Sequence, residues 1–148
     1  MKSLLVALDG SPRAPDVLKM AVAHAEAMGA ELVLLRAIGV PHDLPFSAMA
    51  MSPDDVLSVL EQRAKGELTE LARSLVPPGI PWKIRIETST AWHAVCQAAQ
   101  AIDASLIVIG SHGYGTLDRL LGTTSARVVN HADRSVLVVR PHESPAGS

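Results

Sequence analysis

The chain has 148 residues, 48% hydrophobic and 19% charged, which falls within the size range that folds as one domain. A net charge of −2 offers no basic footprint for a nucleic-acid backbone, and aromatic residues, at 3%, are too few for base-stacking platforms, so no nucleic-acid partner is expected. The single cysteine, Cys96, cannot close an intramolecular disulfide, and the first apolar run ends at Asp9, too soon for a secretory or membrane segment, so a cytoplasmic protein away from membranes is expected.

The run Leu4-Leu5-Val6-Ala7-Leu8 reads as a buried parallel strand. Residues 14–29 carry Val17, Leu18, Ala21, Val22, Ala25 and Met28 at helical spacing, with Ser11 as N-cap and Gly29 as the stop. Leu32-Val33-Leu34-Leu35 is a second buried strand. Residues 39–52, with Pro41, Pro45, Phe46, Met49 and Met51, form the one long stretch without a pattern and read as a covering loop. Pro53 opens the second helix under Ser52 as N-cap, with Asp54 and Asp55 favouring its dipole. Its apolar stripe runs through Val56, Leu60, Ala64, Leu68, Leu71 and Leu75 and ends before Pro77-Pro78-Gly79.

Lys83-Ile84-Arg85-Ile86-Glu87 alternates charged with apolar residues, the pattern of an edge strand with one wet face. A third helix covers residues 91–102 through Val95, Ala98 and Ala99, and Cys96 within it reads as a small buried apolar residue. Leu106-Ile107-Val108-Ile109 is the next buried strand, residues 123–131 the fourth helix, and Val136-Leu137-Val138-Val139 the last strand.

Alternation of this kind predicts the α/β class: a single doubly wound, Rossmann-like domain whose five-stranded parallel sheet carries helices on both faces. The domain is expected over residues 1–142, with a short tail at 143–148. Such sheets bind ligands at the carboxyl ends of their strands. Here those ends read Asp9-Gly10-Ser11, Ala37-Ile38-Gly39 and Gly110-Ser111-His112-Gly113.

Gly110-Ser111-His112-Gly113-Tyr114-Gly115 follows a strand, and Gly122-Thr123-Thr124-Ser125 opens a helix. Glycines that admit main-chain N–H groups, hydroxyl donors and a helix N-terminus together make a phosphate cradle; a flexible connection with an N-cap has the same composition. The segment lacks the Gly-Lys of a Walker loop, and Asp118 stands where a dinucleotide fingerprint has its third glycine. Asp9 suits either a turn or a ribose-hydroxyl acceptor. His112 has no paired carboxylate or nucleophile beside it and reads as polar lining. Arg119 and Arg127 are second-rank phosphate partners or solvated surface residues. His24, His42, His93, His131 and His142 are too scattered for metal ligation, so neither a metal site nor a catalytic residue is expected.

Four segments together resemble the universal stress protein (UspA) family over nearly the whole chain: Leu5-Val6-Ala7-Leu8-Asp9-Gly10-Ser11, Ile107-Val108-Ile109-Gly110-Ser111-His112-Gly113, Leu120-Leu121-Gly122-Thr123-Thr124 and Ser135-Val136-Leu137-Val138-Val139-Arg140. The resemblance implies strand order 3-2-1-4-5. Its ATP-binding members write their loop as Gly, two residues, Gly, nine residues, Gly, then Ser or Thr. This chain supplies Gly110, Gly113, Gly122 and Thr123 with eight residues, 114–121, in the longer interval. It also has Thr88-Ser89-Thr90-Ala91-Trp92 where the family usually shows Gly-x-Pro.

By the same resemblance, the nucleotide contacts would come from Ala7, Leu8, Asp9, Ala37, Ile109, Gly110, His112, Gly113, Gly122, Thr123 and Thr124. Asp9 would meet the ribose and Ala37 the adenine. The cofactor would be ATP, ADP or AMP, with Mg²⁺ arriving on the phosphates. The implied function is an adenine-nucleotide-binding stress-response module whose nucleotide state alters loop order and protein partner choice, with at most slow ATP hydrolysis. The alternative is a family member that binds no nucleotide and acts as a dimeric interaction or protective factor. A homodimer through Val136–Val139 is expected, because that strand would leave an apolar sheet edge uncovered.

Overall fold

The computed structural model describes residues 1–39, 52–111 and 121–141. Strands and helices alternate along them: β1 (Ser3–Ala7), α1 (Ala14–Met28), β2 (Glu31–Ala37), α2 (Pro53–Leu75), β3 (Trp82–Glu87), α3 (Ala91–Ala101), β4 (Leu106–Gly110), α4 (Thr123–His131) and β5 (Val136–Val139). The strands form one parallel sheet in the order β3-β2-β1-β4-β5, as expected. The covering-loop expectation falls on residues 40–51, and the tail expectation on residues from 142 onward, outside the described residues.

The two-residue pleat divides the apolar strand residues between two cores. Leu4, Val6, Leu32, Leu34 and Val108 pack beneath α1 and α2, which contribute Val17, Leu18, Ala21, Leu68 and Ala72. Leu5, Val33, Leu35, Ile107 and Ile109 face the other way, against Val95, Ala98 and Ala99 of α3 and Val128 of α4. Helices therefore cover both faces. The edge reading of β3 holds: Ile84 and Ile86 pack on the first core, Lys83 is exposed, and Arg85 pairs with Glu87 at 2.6 Å. Gly29 ends α1 in the left-handed conformation, φ 64°, which lets the Ala30 N–H turn back to the Ala25 carbonyl.

Two local expectations are corrected. Arg13, not Ser11, holds the N-cap position of α1. The Asp9 carboxylate accepts the Ser11 N–H at 2.9 Å and makes residues 9–11 a separate turn, while Pro15 favours helical backbone in the first turn. Cys96 is half-buried rather than buried, with burial first and the charge of Asp133 second raising its thiol pKa.

At the amino ends of the strands, Glu31 accepts the Ser3 hydroxyl at 2.8 Å and pairs with Lys83 at 3.4 Å. The Ser3 hydrogen bond and then the Lys83 charge hold its carboxyl below the usual range. A depressed folded pKa contributes stability above the ordinary carboxylate value, and that stability is lost as the pH falls through the folded value. Glu31→Gln should therefore show a smaller loss of urea resistance than the parent as the pH drops through the carboxylate range. Parallel curves for the two proteins would assign acid sensitivity to other groups.

Candidate functional site

β1, β2 and β4 all end on one side of the sheet, and a cavity of about 390 Å³ opens there. Its strand-derived wall is largely apolar: Ala7 and Leu8 from β1 and its extension, Leu35 and Ala37 from β2, and Ile109 from β4. Val17 of α1 and Val95 of α3 continue it. Asp9 is the one carboxylate among the described lining residues. The cavity lies where β1 has a neighbour on each side and the strand order reverses, the usual ligand position in such sheets.

Each loop end at this cavity is held by hydrogen bonds that the chain order brings together. After β1, the Asp9 carboxylate holds Ser11 and the Ser11 hydroxyl accepts the Arg13 N–H at 3.3 Å, leading into α1. After β4, the Ser111 N–H extends the ladder to the Val139 carbonyl at 2.8 Å. The Ser111 carbonyl then accepts the Gly122 N–H at 2.8 Å and the Ser125 hydroxyl. Ser111 before the glycine loop and Gly122 and Ser125 after it are thus joined at one carbonyl. The loop's one-residue contraction relative to the family spacing does not displace Gly122, Thr123 and Thr124 from the cavity wall.

Three helices begin at this cavity: α1 with Arg13 and Ala14, α3 with Ala91, and α4 with Gly122, Thr123 and Thr124. Among the described residues, no side chain caps the first turn of any of them. The first turn of α2, whose residues do not line the cavity, is capped by Ser52, which accepts the Asp55 N–H. Helix starts carry unsatisfied N–H groups and partial positive charge. In α1 these N–H groups are already taken, Ala14 by the Ser11 carbonyl and Asp16 and Val17 by the Arg13 carbonyl, while Pro15 has none; the starts of α3 and α4 are the two whose chemistry suits an anionic group.

Of the residues singled out in the sequence, Ala7, Leu8, Asp9, Ala37, Ile109, Gly110, Gly122, Thr123 and Thr124 all line this cavity. His112, Gly113 and Arg119 lie outside the described residues. Arg127 does not line it: the side chain sits over the Trp92 ring, 5.8 Å from its centre, because it is a turn farther along α4 and faces α3. The cavity's arginines are instead Arg13 and Arg36, neither of which the sequence argument chose. Arg36 had a signal, as the one charge at the carboxyl end of an otherwise apolar strand. Arg13 had none.

The model of the universal stress protein family matches residues 1–140. A universal stress protein from Thermus aquaticus is 34% identical over 94% of this chain and 98% of its own length. Among solved structures, the chain is similar to universal stress protein UspA from Lactobacillus plantarum, with TM-score 0.78 and 24% identity, covering 94% of this chain and 97% of that one. The universal stress protein from Archaeoglobus fulgidus in complex with dAMP shares the fold at TM-score 0.66 and 18% identity, over 93% of this chain and 97% of that chain.

Proposed function

This chain belongs to the universal stress protein family, and we propose that it is an adenine-nucleotide-binding module of the stress response. The carrying observation is the convergence of two uncapped helix starts, those of α3 and α4, on a cavity with apolar walls and one carboxylate among its described lining residues. Apolar walls suit a base, a carboxylate accepts ribose hydroxyls, and helix N-termini suit phosphates. The dAMP complex of the Archaeoglobus fulgidus relative supports the ligand class.

In this reading Ala7, Leu8, Asp9, Ala37 and Ile109 receive the nucleoside. Gly110, Gly122, Thr123 and Thr124 receive the phosphates, with His112 and Gly113 contributing from the loop. ATP, ADP and AMP are the candidate ligands, and Mg²⁺ arrives with the phosphates, retaining waters. The chain's own groups bind and orient; none is assigned as a general base, so hydrolysis is at most slow. Nucleotide state would then alter the surface offered to a protein partner, in the cytoplasm where such nucleotides turn over.

Titration of the purified protein with ATP, ADP and AMP in Mg²⁺ buffer, after a denatured sample has been checked for retained nucleotide, tests this directly. Saturable heat or retained ATP is the expected result. A folded protein that binds none of the three would favour the non-nucleotide member of the family, an interaction or protective factor, to which the shorter glycine-loop interval points. A homodimer belongs to both readings. It is supported by β5, an edge strand paired only with β4 among the described residues, whose Val136, Leu137 and Val138 are half-buried. Light scattering at micromolar concentration should give twice the chain mass; a monomer would remove β5 as an interface.

A further inference from the structure

Arg36 is one residue from the end of β2, its side chain is only 13% exposed, and it lines the cavity. Its Nε–H donates to the Leu8 carbonyl at 3.2 Å and an Nη2–H to the Asp9 carbonyl at 3.1 Å. An Nη1–H donates to the Glu67 carboxylate on α2. The backbone ladder explains why these carbonyls need it. Leu8 still donates its N–H to the Leu35 carbonyl, but beyond that bond β1 leaves β2 and turns toward α1. The Leu8 and Asp9 carbonyls lose the strand partner that would have satisfied them, and a side chain of β2 supplies the donors instead.

A guanidinium presents its donors to two successive carbonyls and a carboxylate from one rigid fork, a task a flexible ammonium cannot perform. The chain of bonds continues past it. The Asp9 backbone is gripped by Arg36, the Asp9 carboxylate holds the Ser11 N–H, and the Ser11 hydroxyl holds the Arg13 N–H at the start of α1. One side of the cavity is thus referenced to α2 through a single residue.

We propose that Arg36 is a positioning residue of the site: its guanidinium fork sets where Asp9 meets the sugar of a bound nucleoside, and Glu67 sets the angle of the fork. This rests on the nucleotide reading above and adds to it a link between α2 and the nucleoside end of the cavity. Because the phosphate end is built by α4, loss of the fork lowers affinity for adenosine, AMP and ATP by the same factor.

The test is calorimetric titration of the parent, Arg36→Gln, Arg36→Lys, Glu67→Gln and Glu67→Ala with adenosine, AMP and ATP, alongside thermal unfolding and amide exchange at Ser11. Both Arg36 variants are expected to bind all three ligands about tenfold more weakly, with faster exchange at Ser11. Glu67→Gln, which keeps an acceptor for the guanidinium, should stay within about twofold, and Glu67→Ala should lose about threefold. Glu67→Ala also keeps the proposal testable if an Arg36 variant fails to fold. Parent-like affinity in Arg36→Lys would overturn the fork, since charge alone would then suffice. Lowered melting temperature with unchanged affinities in Arg36→Gln would make the residue merely structural. Parent protein that binds none of the three ligands would instead defeat the nucleotide reading, and the Arg36 role with it.

Discussion

Ala37→Trp should abolish adenine-nucleotide uptake while leaving a cooperatively folding protein. Ala37 ends β2, is half-buried, and contributes a methyl group to the wall of a cavity of about 390 Å³. Its backbone lies in register with Glu87 of β3, and the next residue, Ile38, donates its N–H to the Glu87 carbonyl at 2.8 Å, so the strand end is held independently of the side chain. Tryptophan is compatible with strand backbone, and its indole would extend into open cavity rather than close-packed core. A base excluded from that volume should lose affinity by about a hundredfold or more, roughly 2.7 kcal/mol. Calorimetric titration with ATP, beside a urea unfolding curve, checks both halves of the expectation. Undiminished ATP binding in folded Ala37→Trp would put the base elsewhere.

Leu5→Ala should give the largest loss of stability from a single side chain. Leu5 lies on β1, the middle strand, with no exposed surface, and it packs in the core shared by Val33, Ile107, Val95, Ala98 and Val128. The α3 residues in this core include Ala98 and Ala99, short side chains with little reach to refill the space. The expected cost is about 3 kcal/mol, against a total of roughly 5–15 kcal/mol for a domain of this kind. Urea denaturation should show a lower midpoint at unchanged slope. A loss below about 1 kcal/mol would mean that this core closes over the cavity left behind. Saturating ATP should raise the midpoints of parent and variant alike, because a ligand bound only by the folded state shifts the equilibrium by mass action.

Much of the candidate site was legible because its residues stand at predictable places, immediately after apolar strand runs. Asp9, Ala37 and Gly110 could be found by locating the strand ends, and Gly122 to Thr124 by locating a helix start. Arg36 was passed over because an arginine at a strand end reads as a solvated charge until the carbonyls of a different strand are brought beside it. Arg127 was considered for the opposite reason: its distance along the chain from Thr123 is short, yet helical rotation carries it to Trp92. The Ser11 cap failed because the sequence offered two uses for one turn, and the Asp9 carboxylate settled which was taken.

Periodicity, apolar run length and punctuation by glycine and proline are local properties, and by themselves they determined the elements, their alternation and hence the parallel doubly wound sheet. Strand ends shifted by at most two residues, since hydrogen bonding to neighbours rather than apolar content decides where a ladder stops. Only the tertiary structure decided that three helix starts meet over one cavity, that Gly122 returns to the Ser111 carbonyl, and that Arg36 satisfies the two carbonyls β1 leaves behind. Each of these is a contact between segments distant in the chain, formed because burying both faces of the sheet brings the segments together and because polar backbone groups near that core must then find partners.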